Sequence, residues 1–187
     1  MTKASDQRRR LLRGLTAGGV LLPFSAPALS RLKEADVGPD MAGAITMRHL
    51  HTGEFLAIPA DPHELDRRSF SKVNVFLRDH YSGDIGVIDP VLVVLLAKLR
   101  RELDTERSIH IISGFRSTAT NQMLRKRGGG GVAKRSLHMD GKAIDIRIPG
   151  LPLTDVRDAA IDLKAGGVGY YRKSQFVHLD TGRFRTW

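Results

Sequence analysis

Among the histidines and carboxylates of this 187-residue chain, His138, Asp145 and His178 stand in a pattern that could hold a metal ion. The first two lie seven residues apart in the segment Ser136-Leu137-His138-Met139-Asp140-Gly141-Lys142-Ala143-Ile144-Asp145. Ile144, Ile146 and Ile148 alternate with Ala143, Asp145 and Arg147, which predicts a strand with the isoleucines in the core and Asp145 on the opposite face. Phe176-Val177-His178-Leu179-Asp180 predicts another, with Val177 and Leu179 on one side and Phe176, His178 and Asp180 on the other. Two imidazoles and a carboxylate leave a tetrahedral Zn²⁺ one open position, which is the composition of a catalytic zinc site; structural sites close that position with protein. Such an ion lowers the pKa of bound water and polarises a carbonyl oxygen, the two needs of amide hydrolysis. Two histidines and an aspartate recur by chance in a chain of this length, so spacing alone leaves the ligand set open.

The elements that must position these groups are legible around them. Residues 44–58 alternate about Thr52-Gly53 in the manner of a hairpin. Helical spacing follows over 69–79, and Asp89-Pro90 supplies an N-cap and a first-turn proline for a strongly apolar helix over 91–103. Residues 108–112 predict a strand, Ser113 to Ser117 a turn, and 118–127 a helix. Arg116 therefore stands at a strand end, where its guanidinium can grip a carboxylate or carbonyl oxygen; the alternative is a surface arginine that caps a helix or pairs with an acid. The four glycines at 128–131 lack a phosphate-loop pattern and are read as a flexible connection at the mouth of the site. A helix over 154–164 and a glycine-rich strand over 166–171 complete the order. His49 and His51, two apart on the hairpin, are expected at the surface, and no role is assigned to His63 or His80.

Composition narrows the chemistry. The chain has no cysteine, which removes thiolate ligands, thiol catalysis and disulfides and leaves His, Asp and Glu for metal binding. A hydrophobic fraction of 41% with 27% charged residues excludes neither an enzyme nor a binding module. Of the net charge of +10, residues 1–28 contribute +4, from five Lys or Arg against one Asp, and the remainder carries +6. That charge suits any polyanion, but no nucleic-acid motif or set of stacking aromatics accompanies it, and nucleic acid is not expected as a partner. Gln7-Arg8-Arg9-Arg10-Leu11-Leu12-Arg13, a short apolar run and Ala26-Pro27-Ala28 predict a twin-arginine-type signal over 1–28, and thus a periplasmic protein. The apolar run is too short to span a bilayer. A linker over 29–43 and one domain over 44–187 follow. No signal for an oligomeric state is present.

The combination Ser136-x-His138-x-x-Gly141-x-Ala143-x-Asp145, with Ser113-Gly114-Phe115-Arg116-Ser117 before it and Val177-His178-Leu179-Asp180 after it, resembles zinc peptidases of the D-Ala-D-Ala peptidase and Hedgehog superfamily. It looks closest to the exported murein endopeptidases, over about Ser69 to Trp187. The resemblance implies an α+β fold in which a small antiparallel sheet carries the zinc and helices pack on its other face. It makes His138, Asp145 and His178 the zinc ligands, Arg116 the group that engages substrate or the developing oxyanion, and Ser136 a residue beside the bound peptide. Peptidoglycan stem peptides are the implied substrate. Many relatives place a glutamate or aspartate base a few residues before the last histidine, whereas Lys173, Ser174, Gln175, Phe176 and Val177 stand here. Asp180 is the first candidate for that base, because it shares the strand face of His178; the alternative is a carboxylate that orients a ligand imidazole or pairs with Arg183 or Arg185. Two rival functions remain: a non-catalytic zinc-containing peptidoglycan-binding module, which the departure at the base favours, and a polyanion binder, which charge alone supports.

Overall fold

The hairpin at the start of the domain forms because Thr52-Gly53 turns a run of alternating residues back on itself. Strand β1 (Ala44–His49) pairs antiparallel with β2 (Phe55–Pro59), and Gly53 N–H donates to the His49 carbonyl at 2.9 Å. The computed structural model of the chain describes residues 43–128 and 132–187. The signal predicted over 1–28, most of the linker over 29–43 and three of the four glycines at 128–131 lie outside those residues.

Helix α1 (Arg67–Phe76) begins two residues ahead of its expected start, because Asp66 accepts a hydrogen bond from Ser69 N–H at 2.7 Å and caps it. Helix α2 (Pro90–Glu102) is capped by Asp89 with Pro90 in its first turn, as read. Its stripe Leu92, Val93, Leu95, Leu96 and Leu99 is buried, so the stripe is core. Arg100, in the last turn of this helix, is buried and donates to the Ala44 and Thr105 carbonyls and to Glu106. Strand β3 (Ile109–Ser113), helix α3 (Thr118–Arg127), strand β4 (Ala143–Arg147), helix α4 (Leu153–Asp162) and strands β5 (Gly167–Tyr171) and β6 (Phe176–Asp180) follow within a residue or two of their predicted bounds. The two-residue strand β7 (Arg185–Thr186) is too short to show an alternation, and the sequence does not announce it.

The α+β class stands, while the sheet is larger than expected and mixed. Seven strands among the described residues run in the order β2-β1-β3-β4-β6-β5-β7. β1 and β3 are parallel because the long connection between them carries α1 and α2, and β7 adds parallel to β5. Ile45, Met47, Ile109, Ile111, Ile144, Ile146, Val177 and Leu179 make one buried cluster with residues of α1, α2 and α4. Helix α3 contributes none of that cluster. Burying so many β-branched and leucine side chains, each contributing roughly 1.5–3 kcal/mol, fixes the register of the central strands. The polar face of those strands is thereby determined, and the site stands on it.

Candidate metal centre

Strands β4 and β6 are neighbours in the middle of the sheet, and their register sets Asp145 directly across from His178. His138 arrives from outside the sheet, on a single 3₁₀ turn over Leu137–Asp140. Gly141 makes that approach possible. It sits at φ +65°, and a Cβ there would stand 1.9 Å from the Val87 carbonyl oxygen, so the glycine of the SxHxxGxAxD pattern has a steric cause. The three groups meet closely. His178 Nδ1 lies 2.9 Å from Asp145 Oδ1, and His138 Nε2 lies 3.2 Å from His178 Nδ1 and 3.3 Å from Asp145 Oδ1.

The outward nitrogens decide the chemistry of this cluster. His138 Nδ1 stands 2.7 Å from the Gly114 carbonyl oxygen, which only accepts, so the proton belongs on Nδ1 and Nε2 presents a lone pair. His178 Nε2 stands 3.1 Å from Asp180 Oδ2, which places that proton on Nε2 and the lone pair on Nδ1. Two lone pairs and a carboxylate oxygen thus face one another with no proton between them, and such a set calls for a cation. Zinc bonds of about 2.0–2.1 Å at tetrahedral angles set ligand atoms about 3.3 Å apart, close to the spacings found. The donor set fits a metal ion.

Burial acts to raise the Asp145 pKa, but the neighbouring His138 and His178 imidazoles outweigh it and hold the carboxyl well below its usual range. For His178, burial acts downward and is overcome by the Asp145 and Asp180 carboxylates beside it, so its pKa is raised. The cluster is a carboxylate between two imidazoles, and it lines a cavity of about 620 Å³. Arg116 enters from the β3–α3 turn, its Nη2 3.4 Å from Ser113 Oγ and 3.9 Å from Asp145 Oδ2. The turn is held by Arg116 N–H donating to the His138 carbonyl and by Ser117 N–H donating to Asp79 Oδ2. Ser136 lines the same cavity, and its hydroxyl makes no capping hydrogen bond to the 3₁₀ turn.

A family model described as peptidoglycan L,D-endopeptidase MepK, of the peptidases, matches residues 40–187. The chain belongs to this family. A protein of Escherichia coli (strain K12) named peptidoglycan L,D-endopeptidase MepK is 40% identical over 190 residues, covering all of both chains. One of Haemophilus influenzae, named probable peptidoglycan L,D-endopeptidase MepK, is 38% identical over 184 residues, which cover 97% of this chain and 96% of that one. Among solved structures, the Serratia marcescens L-Ala D-Glu endopeptidase ChiX covers 56% of this chain and 74% of its own at 18% identity, with a TM-score of 0.35, a likeness too slight to carry an argument. Membership of the MepK family agrees with the resemblance read from Ser136 to Asp145.

Asp180 is where the two alternatives left by the sequence separate. It shares the face of His178, as read, but it lies behind that imidazole, fully buried, on the nitrogen turned away from Asp145 and His138. Its Oδ1 accepts from Gly167 N–H, Gly182 N–H and Arg185 Nη1, and its Oδ2 accepts from Arg185 Nη2 at 2.7 Å. Burial acts to raise its pKa, and these hydrogen bonds, His178 and Arg185 first, carry it well below the usual range.

Several partners of the site carry no sequence signal. The Gly114 carbonyl contributes only backbone, and Trp187 and Tyr171 are brought to the cavity by strand pairing. The glycines of Gly166-Gly167-Val168-Gly169 are the one visible hint. A second histidine cluster was also missed: His49 is buried, contrary to its expected place at the surface, and it meets His51 and His80 at ring-centroid distances of 6.1 and 5.7 Å.

Proposed function

We propose that this chain hydrolyses peptide crosslinks of peptidoglycan, of the L,D type in the names of its relatives, with a zinc ion held by His138, Asp145 and His178. The observation that carries the reading is the convergence of Nε2 of His138, Nδ1 of His178 and Oδ1 of Asp145, each imidazole having its proton engaged on the far side. A zinc ion there supplies a Lewis acid for the scissile carbonyl and water of lowered pKa. Arg116, held by the β3–α3 turn over Asp145, donates to the carbonyl oxygen of the substrate as charge develops on it. Ser136, which lines the same cavity, supports the peptide backbone. Asp180 acts through His178: its carboxylate holds the imidazole in one tautomer and orientation. Free carboxylates of stem peptides suit a cavity whose walls bring Arg116 and Arg135. The twin-arginine-type segment at 1–28 is taken as the export signal of a periplasmic enzyme whose domain spans 44–187. Among the described residues no helix is long and apolar enough to cross a membrane.

A second reading, a zinc-containing peptidoglycan-binding module without hydrolysis, is favoured by one observation: Asp145 is the sole carboxylate among the described residues lining the cavity. Purified sacculi treated with zinc-loaded protein and with His178→Ala separate the two. New muropeptides from the wild type alone are the expected result. Binding to sacculi without release of fragments overturns hydrolysis in favour of the module. For export, the precursor is expected to accumulate in the cytoplasm of a host lacking the twin-arginine translocase, and processing unchanged there sinks that assignment.

A further inference from the structure

The glycines of β5 have no part in the chemistry above, yet what stands over them bears on the last ligand. Gly169 is the register partner of His178, so the two residues share a face of the sheet. A Cβ at Gly169 would come within 2.7 Å of the Trp187 indole, and one at Gly167 within 2.3 Å of Arg185 Nη1. The missing side chains make room for β7. Trp187 is held over that space by its backbone, with its N–H donating to the Val168 carbonyl at 3.2 Å and its carbonyl accepting from Tyr170 N–H at 2.9 Å. Its indole Nε1–H donates to the Tyr171 hydroxyl at 3.0 Å, and its ring lies 5.3 Å from that of His178. The Arg185 guanidinium stands 4.8 Å above the same indole and grips both oxygens of Asp180, the carboxylate that accepts from His178 Nε2.

We propose that Arg185 and Trp187 are positioning residues for His178, so that the last strand of the sheet sets the geometry of the metal centre. The inference rests on the zinc reading of that centre. His178 is anchored in β6, but a strand backbone leaves its ring free to turn about the side-chain bonds. Two contacts stop it. Arg185 neutralises the buried Asp180 and aims its Oδ2 at Nε2, and the Trp187 indole blocks the swing of the ring toward β5. With either removed, Nδ1 is no longer held toward Asp145 and His138. Gly169 and Gly167 are required because any side chain there would displace one of the two supports.

The test measures zinc affinity by competition with a chromophoric chelator, together with the nitrogen spectrum of His178 in the zinc-free protein, for wild type, Arg185→Ala, Trp187→Ala and His178→Ala. Circular dichroism of each confirms the fold. Arg185→Ala and Trp187→Ala are each expected to weaken zinc binding about 10–100-fold, the usual effect of removing a partner that orients a ligand. They are also expected to turn His178 from a single tautomer protonated at Nε2 into a mixture, a change that loss of packing elsewhere does not produce. Trp187→Phe, which still fills the space, should recover most of the affinity. If alanine at 185 does not fold, Arg185→Lys decides: affinity between wild type and His178→Ala supports the proposal, and wild-type affinity overturns it. Wild-type affinity and tautomer in both alanine variants, with zinc lost in His178→Ala, overturns the positioning role and leaves the zinc reading intact. Zinc held as tightly by His178→Ala as by wild type overturns the zinc reading itself.

Discussion

The molecule gathers imidazoles in two places, and only one of them has the makings of a metal centre. At His138, Asp145 and His178 a carboxylate stands among the rings, and each outward N–H has an acceptor, so the inward atoms are lone pairs. Among the described residues, His49, His51 and His80 do not form a group whose ligand atoms converge as those of His138, Asp145 and His178 do. His51 and His80 stack at 4.0 Å with their planes 1° apart, which points their nitrogens away from a common centre. His49 Nδ1 accepts from the His51 and Thr52 amides at 3.3 and 3.4 Å, so its proton lies on Nε2, which is buried with no hydrogen-bond partner among the described residues, as is His80 Nε2. The charges differ accordingly. Burial first, then His51, pulls His49 down to about 4, and burial followed by His51 and His49 brings His80 to about 4, whereas His178 is raised by its two carboxylates. A histidine cluster becomes a metal site through an anion and through acceptors that direct its protons outward, and the number of rings does not decide it.

The sharpest way to break this contrast is to remove one imidazole from each place. His178→Ala is expected to lose stoichiometric zinc, measured by metal analysis, and to reduce muropeptide release to background, while His80→Phe retains both. Equal zinc loss in the two variants would remove the distinction. Next in size is Arg116→Ala, expected to lower kcat about 10²–10³-fold, the usual effect of removing a donor to a developing oxyanion. Zinc content should stay at the wild-type level, because Arg116 reaches Asp145 Oδ2 only at 3.9 Å.

The third test uses pH. His49 and His80 titrate near 4 in the folded chain against about 6.5 when unfolded, so between those values the unfolded chain binds more protons. Their contribution to stability is therefore fully present above pH 6.5, is lost as pH falls toward 4, and changes no further below it. The melting temperature of the zinc-free protein should fall by several degrees across that window, and by less in His80→Phe. An identical pH profile in the variant would show that the cluster does not carry the effect. The smallest effect is expected at the edge of the second cluster, where Arg78 pairs with the exposed Glu54 at 2.8 Å. Arg78→Ala should cost about 0–1 kcal/mol of stability by denaturant titration, and a larger loss would mean that the pair fastens the hairpin to α1.

How much of this was legible varies by element for a physical reason. Alternation in Ile144-Asp145-Ile146 and in Val177-His178-Leu179 is a local signal, and it assigned the isoleucines to the core and Asp145 and His178, which are paired, to the other face. Asp89-Pro90 and Asp66 act within four residues, so the caps of α2 and α1 were readable or nearly so. His49 was misread because its burial comes from Phe76, at 5.9 Å between ring centroids, and from His80, both far along the chain. The parallel pairing of β1 with β3 was invisible for a like reason, since a strand's own pattern does not name its neighbour.

For the site itself, the residue types were legible in the sequence, His138, Asp145 and His178 as side chains able to hold a metal with no cysteine to compete, and alternation set the strand faces of Asp145 and His178. Tertiary structure decided which nitrogen of each imidazole faces inward, because that depends on the Gly114 carbonyl and on Asp180, partners 24 and 2 residues away. It also decided that Asp180 stands behind His178 with Arg185, where a strand face alone allowed it to stand in front. Alternation assigns a side chain to a face of the sheet, and only the packing of β7 over the glycines of β5 determines what that side chain meets there.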